Sequence, residues 1–176
     1  MKFSKLTERI SQLGSDKWLV HLEARKLKKN NPNIIELTIG EPDQLPPNEL
    51  IQKCYESMIS GRTKYSNGRG EESLLEALAK KYQSRTSLKV SKNNFLCLPG
   101  TQTALFATVM CLVEEGDEIL VGDPYYATYE GIIKSSGANL IPIPLREEHD
   151  FSLQENDIRK KITNKSKAIL LNYPHN

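Results

Sequence analysis

The sequence has no apolar stretch long enough to cross a bilayer. Its longest, Ala104 to Val113, is interrupted by Thr108 and falls well short of the roughly 20 residues a spanning helix needs. The opening "MKFSKLTERI" lacks the apolar run of a secretory leader. Cysteine and histidine are scarce, at three each. Cys54, Cys97 and Cys111 form no C-x-x-C pair, and His21, His149 and His175 add no metal-ligand spacing. Neither a disulfide scaffold nor a metal centre is therefore indicated. An excess of one charge is missing too. The 24 basic and 22 acidic residues leave a formal net charge of +2, which gives no electrostatic footprint for nucleic acid or an anionic membrane surface. Internal repeats and low-complexity segments are absent. The expectation is a soluble, cytoplasmic chain with three buried, reduced thiols and no metal.

What remains is ordinary globular material: 176 residues, 38% hydrophobic and 26% charged, enough to bury a core. Residues 16–29 carry the stripe Trp18, Leu19, Leu22 and Leu27, which predicts an amphipathic helix with Asp16 as its cap. "IIELTIG" predicts a short strand halted by Gly40, followed by the proline-rich "EPDQLPP". Helices are expected at 48–60 and 71–84, separated by "SGRTKYSNGRG".

From Asn94 the pattern becomes an alternation. "FLCL" at 95–98, "EILV" at 118–121, "NLIPI" at 139–143 and the terminal "KAILLN" are separated by helical stretches near 102–114, 126–135 and 154–162. Short apolar strands alternating with helices predict an α/β fold with a parallel sheet covered on both faces. Ile169, Leu170 and Leu171 at a bare end would each forfeit about 1.5–3 kcal/mol of burial. The ending therefore reads as a cut rather than a natural terminus.

Ligands of such sheets bind outside the carboxyl ends of the strands, where three loops stand out. "LPGTQTAL" at 98–105 puts Gly100 at a turn and Thr101 or Gln102 at a helix start, a natural phosphate seat. The plainer account is that any strand-to-helix turn wants a glycine and a capping threonine. "GDPYYATYEG" at 122–131 clusters Tyr125, Tyr126 and Tyr129. Such rings either stack on a flat ligand or staple helix to sheet. "NYPHN" at 172–176 offers the amides of Asn172 and Asn176. "GRGEES" at 68–73 imitates a dinucleotide loop but follows a helix rather than a strand.

Taken together, "IGEPD" (39–43), "KYSNGRGEESLLEALAKKY" (64–82), "PGTQTALFATVMCLVEEGDEILVGDPYYATYEG" (99–131) and "LLNYPHN" (170–176) resemble the amino-terminal half of a class I/II, fold-type I, pyridoxal-phosphate-dependent aminotransferase of the aspartate aminotransferase-like kind. The last motif is the front of the family's N-x-P-x-N-P-T-G signature. The resemblance implies the first part of a three-layer α/β/α large domain, truncated, over residues 46–176, preceded by an arm and small-domain segment over 1–45. It implies pyridoxal 5'-phosphate as cofactor, with Gly100, Thr101 and Gln102 at the phosphate, Tyr126 stacked on the ring and Asn176 at the ring's phenolic oxygen. Gly40 would lie beside the substrate carboxylate. Tyr65 would reach the partner's phosphate in a homodimer. Aspartate-type members often carry tryptophan where Tyr126 stands, so the substrates, an amino acid and a 2-oxo acid, stay unspecified.

The family's Schiff-base lysine has no match here. Ser4-Lys5, Ser91-Lys92 and Ser166-Lys167 are the only Ser-Lys pairs, and none precedes the family's glycine- and arginine-containing loop. These residues alone are expected to be inactive. Two alternatives stay open: a lyase or synthase of the same fold, and a non-catalytic remnant.

Overall fold

The computed structural model describes residues 3–11, 13 and 15–175. Its helices are α1 (Lys5–Ile10), α2 (Ser15–Asn30), α3 (Asn48–Ile59), α4 (Glu72–Gln83), α5 (Thr101–Leu112), α6 (Thr128–Ser135) and α7 (Glu155–Lys161). Its strands are β1 (Glu118–Asp123), β2 (Asn139–Pro144) and β3 (Ser166–Leu170). Contacts divide the chain into two units, residues 1–39 with 105–176, and residues 40–104.

The first unit is built on a parallel sheet of order β2-β1-β3. Leu120 at the centre of β1 faces Ile141 on one side and Ile169 on the other. The run "ILV" at 119–121 is buried throughout, as a strand covered on both faces requires. Around it pack Val109 and Val113 near the end of α5, Tyr129, Ile132 and Ile133 of α6, and Ala138. The outer strand β3 is covered on one side only by described residues: Leu170 packs on this core, while Ile169 is 40% and Leu171 66% exposed.

The connection from β2 to α7 is fastened by a two-pronged ion pair. Arg146 Nη1 lies 2.6 Å from Asp157 Oδ2, and Nη2 donates to Oδ1 at 3.3 Å. The guanidinium holds the Asp157 carboxyl below its usual range, despite the opposing effect of burial.

In the second unit, α4 buries Leu75 and Ala79, and the rings of Tyr82 and Phe95 meet at 5.4 Å. Lys92 pairs with Glu72 and Glu76. The second glycine of "GRGEES" has a structural use. Gly70 has φ +122°, and a Cβ there would stand 3.0 Å from the Cβ of Cys97, close against the segment whose amide bonds the Arg69 carbonyl.

Four expectations need correction. The thiols are not all buried: Cys54 and Cys111 are exposed and Cys97 is partly buried. Residues 95–98 form no strand. A tetrapeptide becomes one only with a partner ladder, and here the Cys97 amide finds only the Arg69 carbonyl, at 2.8 Å. Residues 34–40 form no strand either. The alternation is there, but Ile35 and Leu37 are 82% and 88% exposed, while the polar Glu36 and Thr38 turn to His21 of α2. Helix α2 begins at Ser15, which places Asp16 inside its first turn instead of at the cap. The other predicted helices stand within two residues of their expected bounds.

Ile133 is 0% exposed, so Ile133→Ala should lower unfolding free energy by about 2–5 kcal/mol in urea titration. A depressed carboxyl contributes stability above its unfolded value, and that contribution vanishes as pH falls through the folded value. Asp157→Asn should therefore destabilise the protein near neutrality and flatten the acid side of the stability profile, compared at about pH 7 and about pH 3.

Candidate functional site

Parallel strands deliver their carboxyl ends to one edge of the sheet. The chain runs from central β1 out to β2, then back past β1 to β3, so the ends of β1 and β3 become neighbours though 47 positions separate Asp123 from Leu170 (170 − 123). Such reversals are where open α/β sheets bind ligands. The loop leaving β1 is "PYYA" at 124–127, and the loop leaving β3 is "LNYPH" at 171–175. His175 joins them, its Nε2–H donating to the Pro124 carbonyl. Sequence reasoning assigned His175 no role; the available signal was its place between the two asparagines of the N-x-P-x-N motif.

The three tyrosines of the first loop separate into two kinds. Tyr129, on α6, is 6% exposed within the core, and Tyr125 is partly buried against it. Burial raises both phenols above the ordinary tyrosine value, and the negative charges of Glu130 and Asp123 add to the effect at Tyr125. Both are therefore neutral structural groups. Tyr126 is 39% exposed, and its ring meets the Tyr129 ring edge-on at 5.7 Å and 70°. An edge-to-face contact fixes the ring plane and leaves its outer face free to stack. The ring that staples helix to sheet and the ring left exposed are thus different residues of one cluster.

In the second unit, Gly100 has φ +84° with nothing within 4 Å of an added Cβ. It turns the chain into α5, whose first residues Thr101, Gln102 and Thr103 are exposed. A twelve-residue helix has amides without intrahelical acceptors at its start and a positive dipole end. Open space beside a glycine turn, followed by such a helix, suits a phosphate, and an exposed braced tyrosine suits a flat heteroaromatic ring. Each taken by itself, the Gly100 turn suits the phosphate of pyridoxal phosphate and the Tyr126 ring suits its pyridine. Gly40 is exposed with open space around it, and Tyr65 is wholly exposed. Asn176 lies outside the described residues, beside His175. Among the described residues, no group of His, Cys, Asp and Glu could hold a metal, and no helix is long and apolar enough to cross a membrane.

Known proteins resemble the chain in both sequence and fold. It is 34% identical, over its whole length, to the arginine–pyruvate transaminase AruH of Pseudomonas aeruginosa, covering 45% of that protein. It is 29% identical over 98% of its length to an aspartate aminotransferase of Bacillus subtilis, covering 44% of it. Aspartate aminotransferase from Thermus thermophilus with maleate superposes with a TM-score of 0.90 at 27% identity, over all of this chain and 46% of that one. The chain thus spans less than half the length of these relatives. The family described as aminotransferase class I and II matches residues 32–176, so the fold is fold-type I and the chain belongs to the class I and II aminotransferases.

Proposed function

We propose that this chain supplies the cofactor cradle of a pyridoxal-phosphate-dependent aminotransferase that moves an amino group from an amino acid to a 2-oxo acid. The observation carrying this reading is the exposed ring of Tyr126, braced by Tyr129 and seated beside the loop of the N-x-P-x-N motif. Functionally, residues 1–45 act as arm and small-domain segment and residues 46–176 as the first part of the cofactor domain. The assembly is a homodimer working in the cytoplasm.

The cofactor, when bound, supplies an electron sink for the carbanion at the amino acid's α-carbon. The protein's part is binding and orientation. The Thr101 and Gln102 amides, with the Thr101 hydroxyl, hold the phosphate, and Gly100 supplies the turn that lets backbone approach it. Tyr126 covers one face of the ring and excludes water from it. Asn176 donates its side-chain amide to the ring oxygen. Gly40 offers backbone to the substrate carboxylate, and Tyr65 reaches the partner subunit's phosphate. No lysine among these residues matches the one that carries the cofactor in this family.

The complete protein should form 2-oxo acid from an amino acid in the presence of pyridoxal phosphate, read by a coupled assay. No turnover across a panel of amino acids would refute the assignment. Tyr126→Ala should weaken cofactor binding roughly tenfold, while Tyr126→Phe keeps it within about twofold. Gly100→Ala, forced to a positive φ, should cost about 1–2 kcal/mol of stability and loosen cofactor binding. In the 176-residue chain, borohydride should fix no pyridoxyl group to lysine by mass spectrometry; a single modified lysine accompanied by turnover would overturn that expectation.

A further inference from the structure

Among the described residues His21 is the one buried histidine, 7% exposed. It stands mid-way along α2, its ring edge-on to Trp18 at 5.8 Å, and no role assigned above uses it. Its Nδ1 lies 2.8 Å from Thr38 Oγ1 and 3.0 Å from Glu36 Oε1. The Thr38 hydroxyl donates to the same carboxylate oxygen at 2.9 Å. A carboxylate can only accept, and the Thr38 hydrogen is committed to it. Nδ1 must therefore carry a hydrogen, shared between the hydroxyl and the carboxylate.

The surroundings keep Glu36 charged. The Thr38 hydrogen bond holds its carboxyl below the ordinary range, burial opposes this, and His21, Arg25 and Lys28 add to it. Arg25 Nε stands 3.8 Å from the same oxygen. Little else fastens the segment. Residues 35–39 belong to no strand, and Ile35 and Leu37 point outward with most of their surface exposed. The side-chain relay is what ties this stretch to α2, and the stretch runs directly into Gly40, two residues beyond Thr38.

We propose that His21 is a positioning residue: through Thr38 and Glu36 it pins residues 36–38 to α2 and so sets the backbone leading into the glycine that receives the substrate carboxylate. The positioning of substrate rests on the reading of Gly40 given under Proposed function; the pin itself does not.

Two measurements test this on the complete protein. In amide hydrogen exchange, His21→Phe keeps the ring against Trp18 but loses the donor, and should speed exchange across residues 35–39 while leaving 119–122 unchanged. Thr38→Val, at an exposed residue, should do the same without threatening the fold. In steady-state kinetics, His21→Phe should raise KM for the amino acid roughly three- to tenfold with kcat nearly constant. His21→Asn, which places an N–H where Nδ1 stood, should restore it. Unaltered exchange at 35–39 in both His21→Phe and Thr38→Val overturns the pin. Altered exchange with KM unchanged, or with Asn failing to rescue, overturns the positioning role. A wild-type protein without transaminase activity overturns the Gly40 reading, and exchange alone then decides the pin.

Discussion

Burial of β1 is the constraint from which the rest follows. A strand covered on both faces and paired on both edges cannot shift its register without moving Ile119, Leu120 and Val121 out of the core. Its carboxyl end is therefore a fixed point. Pro124, Tyr125 and Tyr126 leave from that point, and α6 returns from them to bury Tyr129, Ile132 and Ile133 against the same strand. Apolar burial is non-directional, but with the ladder on either side it places one exposed ring at the edge where ligands of this architecture bind.

Much of this was legible in the sequence because the signals were periodic or short-range. The uninterrupted "ILV" of β1, the helices between strands and the glycine turn before α5 follow from burial, spacing and backbone freedom, and the structure has them where expected. The two lost strands failed for one reason. "FLCL" and "IIELTIG" have strand composition, but a strand is a property of a pair, and composition does not name the partner. At 34–39 the outcome inverted the usual sense of an alternating pattern: Glu36 and Thr38 turned toward α2, where His21, far off in sequence, offers them a donor.

The site was legible to a different degree. Tyr126 could be nominated from its motif, yet its division of roles from Tyr125 and Tyr129 depended on burial, which three neighbouring tyrosines do not reveal in one dimension. His175 was invisible for the opposite reason: its contact with Pro124 joins two loops 51 residues apart. Gly100 lay between, since a glycine before a helix is common and only its positive φ and open surroundings distinguish it.

The edge-on pairing of Tyr126 with Tyr129 also bears on how such a site can change. Tyr129 is the ring that α6 needs for the core, and Tyr126 spends much of its surface outside it. On the reading proposed for Tyr126, replacing the outer ring would change the stacking face and leave Tyr129, Ile132 and Ile133 in the core. On that reading, the aromatic face at position 126 is a trait nearly independent of the sheet beneath it.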